Sequence, residues 1–279
     1  FWFASKDAHD PYYWNPPLLR QDPSAVVVPS YAKNDAFTRQ VMAGYYDEIA
    51  RADDNIGRVV NVLREKKLLD NTLIIVLSDN GSQIGGAKTT LYDEGLKTPL
   101  VMRLPAIMPA GVVNQQLVSA VDLMPTILQL AGLSPVQGAP GISLFPTLKN
   151  PAQSVRSYIY AERNRHGSKN FERLLRSESF FYKRNIFSRR LCDPYWDTVF
   201  DPDRPRDSAY EEFYDLQRDH AERNNRVSER EYRDNVNNAR QMLSAIMAES
   251  EQNSPALILQ QCPPRVWSET IRWPWRGHE

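Results

Sequence analysis

The sequence has no excess of charge of either sign. Its 34 lysines and arginines are matched by 34 aspartates and glutamates, so the formal net charge is zero. That argues against a general nucleic-acid binder, which needs a basic surface. Long apolar runs are also lacking; none approaches the ~18 residues of a membrane span. Cysteine is scarce, with two residues in 279. Cys192 and Cys262 stand far apart and form no Cys-x-x-Cys motif. A disulfide in an oxidising compartment and two free thiols both fit. No internal repeat is present, and no initiator methionine opens the chain. The aromatic start FWFAS reads as a buried strand, which leads to the expectation of a C-terminal part of a longer protein.

What is present is most informative at residues 72–81, TLIIVLSDNG. Leu73, Ile74, Ile75, Val76 and Leu77 make a continuous apolar, β-branched run of the kind found in a buried parallel strand. The run ends in a carboxylate, a carboxamide and a glycine: Asp79, Asn80 and Gly81. Ligands of open α/β sheets bind just past the carboxyl ends of such strands. Two oxygen donors there suit a hard cation such as Ca²⁺ or Mg²⁺. Asp-Asn-Gly is also ordinary turn chemistry, so these residues alone leave both readings open.

Around this run the first 133 residues read as strand, helix, strand, loop, strand, helix. The strands are 1–5, 72–78 and 99–104. A long helix over 36–67 has Phe37, Val41, Tyr45, Ile49, Ala52, Ile56, Val59 and Leu63 on one face, with Asp35 as N-cap. A second helix over 122–131 tolerates Pro125 in its first turn and ends at Gly132. The fold class expected is α/β: part of a mixed, mostly parallel sheet flanked by helices. Residues 134–155, rich in proline and glycine, read as a connector. Residues 156–279 read as a small α+β subdomain and tail, with an antiparallel sheet. Its strands are 156–162, 173–178, 180–187 and 212–216, and its helix is 228–250.

Three further residues could carry chemistry. Lys88 follows a glycine-containing loop and could hold an anion as a point charge, although lysine is usually solvated. His9, in HDPYYW, lies just past the opening strand and could donate a proton near neutral pH; a locally bonded turn histidine reads equally well. His166, in ERNRHGS, could touch substrate or lie on the surface. The Asp53–Asp54 pair reads as a solvated helix face, and residues 92–95 as a structured turn before Pro99. Cys262-Pro263-Pro264-Arg265 reads as a tail feature.

Taken together, four stretches resemble the sulfatase family of the alkaline-phosphatase superfamily. They are YYDEIARADDNIGRVVNVLREKKLLDNTLIIVLSDNG, GGAKTTLYDEGLKTPLVMRLP, VSAVDLMPTILQLAGL and EEFYDLQRDHAERNN. Their order fits the C-terminal half of the catalytic domain and the small domain after it. The HDP start and the C-terminal region look most like the sulfamidase (heparan N-sulfatase) branch. The resemblance implies that Asp79 and Asn80 ligate an active-site Ca²⁺, with Mg²⁺ as the alternative. It implies that Lys88 holds the sulfate oxygens, that His9 contacts the sulfate and the leaving atom, and that His166 faces substrate. The family nucleophile is a formylglycine made from a Cys/Ser-x-Pro-x-Arg motif.

The sequence departs from that pattern in several places. It has no Cys/Ser-x-Pro-x-Arg motif, and the family's other calcium aspartates would lie upstream of Phe1. Tyr12 stands where the sulfamidase pattern has a second histidine, Lys88 where it has an arginine, and His220 where the small domain usually has proline. The expected function is hydrolysis of a sulfate ester or sulfamate on a sugar, with the nucleophile outside this chain and no turnover from the chain alone. A phosphomonoester or phosphonate hydrolase of the same superfamily and a non-catalytic family member are the alternatives. A sulfated carbohydrate is the expected partner, with no nucleic acid and no membrane span. A periplasmic or secreted location is what many relatives suggest.

Overall fold

A computed structural model describes residues 1–9, 12, 21–164, 171–187 and 211–251. His166, Cys192, Cys262 and the tryptophan-rich tail lie outside the described residues. No helix among the described residues is long and apolar enough to cross a membrane.

The first region is built on helix α1, Ala36–Glu65, where Asp35 caps the start by accepting a hydrogen bond from the Thr38 amide at 2.8 Å. The helix ends without glycine. Lys67 takes a left-handed φ of 60°, and the amides of Lys67 and Leu68 close back on Arg64 and Leu63 at 3.0 and 2.9 Å. The apolar stripe read from the sequence is its packed face only in part: Val41 and Tyr45 pack on the core, and Ala52, Ile56, Val59 and Leu63 are half-buried. Met42, Ala43, Gly44 and Glu48 are buried, whereas Phe37 and Ile49 are exposed. The cause is local: the described partners of α1 gather over its second and third turns, where Tyr12, Val26 and Ile84 form one core with Met42 and Ala43. Asp53 and Asp54 are exposed, as a solvated face requires.

Strand β1, Ile74–Leu77, pairs with β2, Leu100–Arg103, and the pair is antiparallel, with Ile74 opposite Arg103. The expected mostly parallel sheet is therefore not found among the described residues. The 22-residue return between the strands carries a single 3-10 turn at Ile84–Gly86 and the short helix α2, Asp93–Leu96, and no crossover helix of the kind a parallel neighbour needs. β1 is half-buried rather than buried, with Leu77 exposed. Residues 1–5 are not a strand, and Phe1, Trp2 and Phe3 are exposed. No described strand offers them a ladder, and an apolar run without a ladder has nothing to hold it extended.

Helix α3, Leu123–Leu130, is entered through a single turn at Ala120–Asp122 and left through Gly132, whose φ is 71°. The residues read as a connector are fastened to it. The Leu144 amide donates to Thr126 Oγ1 at 2.8 Å, just before the short helix α4, Phe145–Lys149. Asp122 is fully buried and holds this junction. Its oxygens accept from the amides of Ser119 and Ile142 at 2.9 and 2.8 Å and from both sides of the Arg156 guanidinium.

The second region is an antiparallel meander of four strands: β3 Ile159–Asn164, β4 Phe171–Arg176, β5 Phe180–Phe187 and β6 Glu211–Asp215. Alternation sends its side chains to two covered faces. Leu175, Tyr182 and Phe213 pack under helix α5, Arg233–Glu251, against Val236, Ala239 and Leu243. Leu174, Phe181 and Tyr214 turn the other way, onto Leu91 and Tyr92 of the first region. Each such burial contributes about 1.5–3 kcal/mol.

Asp122→Ala is expected to lower stability by about 4 kcal/mol, because it strands the Arg156 guanidinium and two amides in a buried site. Urea unfolding measures it; a loss under about 1 kcal/mol would contradict the role given to this carboxylate.

Candidate active site

The loop leaving β1 is shaped by backbone contacts. A Cβ on Gly81 would sit 1.9 Å from the Glu94 carbonyl oxygen, and the Gly81 amide donates to the Gly95 carbonyl at 2.9 Å. A Cβ on Gly95 would in turn sit 2.5 Å from the Thr90 carbonyl. Two glycines thus let the strand end lie flat against α2. Gly85 and Gly86 carry φ of 64° and 69° and reverse the chain beneath Tyr31. The Lys88 amide then closes the loop on the Ser82 carbonyl at 2.8 Å.

Asp79, Asn80 and Lys88 are carried by this one loop. Asp79 is exposed, Asn80 and Lys88 half-buried. Asn80 Nδ2 donates to the Gly81 carbonyl at 2.8 Å, which leaves Oδ1 as the outward acceptor. Among the described residues, neither the Asp79 carboxylate nor the Lys88 ammonium has a side-chain partner. Carboxylate and amide oxygens are the donors that Ca²⁺ and Mg²⁺ take, so the pair fits such an ion. Among the described residues no three imidazoles, thiols or carboxylates gather where they could hold a metal ion. A Ca²⁺ site takes six to eight oxygens, so the pair makes part of a cage.

His9 is exposed in a turn that packs on α1. The Ala8 amide donates to buried Glu48 Oε2 at 3.0 Å, and Asp7 pairs with Arg51 at 2.5 Å. The next described residue, Tyr12, is buried edge-on against Tyr45 at 5.5 Å between ring centroids. Ile84, from the Asp79–Lys88 loop, shares its core with Tyr12. The segments of His9 and Lys88 are thereby anchored on the same turns of α1. Non-glycine residues with positive φ are few and cluster at functional sites. Of four among the described residues, Ala8 (69°) precedes His9 and Thr89 (74°) follows Lys88.

Comparison with known proteins fits this arrangement. Residues 1–133 match the family model described as Sulfatase. Over these residues the chain resembles the sulfatase family. The chain is 32% identical over 159 residues to an ulvan-active sulfatase of Formosa agariphila, covering 57% of this chain and 26% of that protein. It is 36% identical over 116 residues to the N-sulphoglucosamine sulphohydrolase of Homo sapiens, covering 41% and 23%. Among solved structures it resembles BT4656 in complex with its substrate D-glucosamine-2-N,6-O-disulfate. The TM-score is 0.66 at 26% identity, over 80% of this chain and 44% of that one. The chain spans less than half the length of the curated relatives it matches.

The turn after Lys88 is gripped by the small sheet through residues that nothing in the sequence singles out. Arg163, Glu172, Lys183 and Glu212 share the sheet face that carries Leu174 and Phe181. Arg163 Nη1 donates to the Thr89 carbonyl at 2.6 Å. Lys183 Nζ lies 3.1 Å from Glu172, 3.0 Å from Glu212 and 2.9 Å from the Tyr92 hydroxyl, which itself donates to Glu212 at 2.8 Å. Arg176 forks onto the Asp93 carboxylate at 2.6 and 2.8 Å. Charges at alternate strand positions read as a solvated face. Only contact with residues 89–93 makes this one an interior.

Glu222, in EEFYDLQRDHAERNN, is fully buried and accepts from the Asp93 amide at 3.1 Å. Burial, then the nearby Asp93 charge, pushes its pKa up to about 8, while Arg176 works the other way. The folded form therefore holds a proton that the unfolded chain releases near its ordinary value of 4.5. Stability from this group is full below that value and is lost as pH rises through about 8. Glu222→Gln is expected to remove this slope. Urea midpoints of the variant should stay level between pH 5 and 8 where those of the parent fall; parallel curves would contradict the assignment.

Two glycine substitutions should have opposite signs. Gly81→Ala forces a methyl into the Glu94 carbonyl and should cost about 3 kcal/mol. Gly57→Ala, on α1 with nothing within 4 Å of the added carbon, should gain about 0.5–1 kcal/mol. Thermal unfolding of both variants checks the pair.

Proposed function

We propose that this chain supplies part of the active site of a sulfatase that hydrolyses a sulfate ester or sulfamate on a sugar. The observation that supports the reading is the glycine-braced loop that follows β1, which carries Asp79, Asn80 and Lys88 within ten residues and lies in the stretch that matches the Sulfatase model. The sugar class rests on relatives whose names or complexes specify an N-sulphoglucosamine, ulvan and glucosamine disulfate. The sulfamidase branch is our finer reading, from the human relative and the HDP start.

In this reading Asp79 and Asn80 give oxygens to Ca²⁺, with Mg²⁺ as the alternative. When bound, the cation supplies positive charge that offsets the charge shifting onto the sulfate oxygens. Lys88 holds those oxygens as a point charge in the transition state, where such contacts accelerate most. His9 delivers a proton to the departing oxygen or nitrogen. His166, outside the described residues, is kept as a substrate contact. A formylglycine nucleophile is expected outside this chain, so the 279 residues alone should show no turnover. We place the protein in the periplasm or outside the cell.

The test is sulfate release by the gene product that carries this chain, at its natural length. Glucosamine 2-N-sulfate, glucosamine 6-sulfate and a phosphomonoester serve as substrates. Sulfate release is expected, abolished by a chelator and restored by Ca²⁺. Lys88→Ala should lower kcat/KM by about 10²–10³-fold and His9→Asn should lower kcat by about 10²-fold. Release of phosphate without sulfate would overturn the reading.

A further inference from the structure

The small sheet does more than pack against the first region. Its charged face meets the chain one residue after Lys88. There Thr89, a β-branched residue, holds φ of 74°, a conformation that persists only where the surroundings over-determine it. The side chain that reaches the Thr89 carbonyl is a guanidinium. Arg163 is buried, with Nη1 on the Thr89 carbonyl at 2.6 Å and Nη2 2.7 Å from Glu172, its direct cross-strand neighbour. The Glu172 contact lies off the hydrogen-bond axis, so it acts as a Coulombic brace while the Thr89 contact is directed. Glu172 is held in turn by Lys183, and Lys183 by Glu212 across the next strand pair. On its other side Lys88 is tied by its amide to Ser82. The lysine is thus strung between the strand-end loop and the sheet.

We propose that Arg163 is the positioning residue for Lys88: through the Thr89 carbonyl, the ionic face of the small sheet fixes the turn that carries the ammonium and so sets how tightly a tetrahedral oxyanion is held. The inference rests on the reading of Lys88 as the oxyanion holder. A guanidinium reaches two acceptors in fixed directions at once, whereas an ammonium is a point charge on a flexible stem. Arg163→Lys therefore keeps the charge beside Glu172 and loses the simultaneous hold on Thr89.

Calorimetric titration with inorganic sulfate, on the gene product at natural length, decides the matter. Arg163→Lys should weaken sulfate binding about tenfold, the scale of a small misplacement of a binding group. Its thermal midpoint should move by only a few degrees, and amide exchange at residues 88–93 should quicken. In a Lys88→Met background the same substitution should change sulfate affinity no further, because groups acting as one unit are not additive. Equal losses in both backgrounds, or no loss in either, overturn the positioning role. Should Arg163→Lys fail to fold, Tyr92→Phe loosens the same turn at its second grip by taking the hydroxyl from Lys183 and Glu212. It should give faster exchange and weaker binding in the same direction, and unchanged binding overturns the proposal. If Lys88→Met binds sulfate as tightly as the parent, the oxyanion reading of Lys88 falls and this inference with it. If Lys88→Met binds weakly and Arg163→Lys does not, only the positioning role falls.

Discussion

Four ionised side chains on the inner face of the small sheet have to be neutralised where water does not reach, and the rest of the arrangement follows from how that is done. Burying a charge is costly unless it is paired and hydrogen-bonded. Lys183 and Glu172 are each 1% exposed at the side chain, and Glu212 likewise. They satisfy one another across the strands and then use the Tyr92 hydroxyl to complete the set. The Tyr92 ring stacks on Phe181 with 5.7 Å between centroids, and the Lys183 ammonium lies 4.2 Å from its centre. Such a network is a weak source of net stability, because desolvation opposes its attractions. Its worth lies in placement: the paired groups hold one another and the Tyr92 hydroxyl in register across the strands.

That directional hold falls on the stretch that follows the candidate anion-binding lysine. Thr89, Tyr92 and Asp93 are each bonded by a different strand, and the Asp93 amide by Glu222 of the turn beyond β6. The first region contributes from the other side. Gly81 and Gly95 allow the strand end to touch α2, and Ile84 plugs the loop into the core on α1. A loop fixed from both directions can keep exposed polar groups aimed without itself being stiff by composition.

Much of this was legible before any coordinates. The Asp35 cap, the Gly132 terminus and the β5 limits are where local chemistry places them, because caps and turns are decided within a few residues. The antiparallel pairing of β3, β4 and β5 follows from short strands with short connections. What failed depended on distant partners. Ile49 and Phe37 sit on the stripe a helix would bury, yet the packing of α1 lies elsewhere along its length. Residues 1–5 have strand composition and no described ladder. Within the site, Asp79, Asn80 and Lys88 announce themselves by type and position. Arg163, Glu172 and Lys183 do not, since alternating charge on a strand is the mark of a wet face until something covers it.

The span of these contacts along the chain sets a timetable. Arg163 meets Thr89 across 74 residues, Arg176 meets Asp93 across 83, Glu212 meets Tyr92 across 120, and Glu222 meets Asp93 across 129. On a ribosome, the turn bearing the lysine emerges long before the sheet groups that hold its far side. Contacts so far apart form late, because chain closure must precede them. The nascent loop must therefore stay loose and unassembled until the last strand and the turn after it are made, so a sequence change late in the chain can spoil a centre laid down near its beginning.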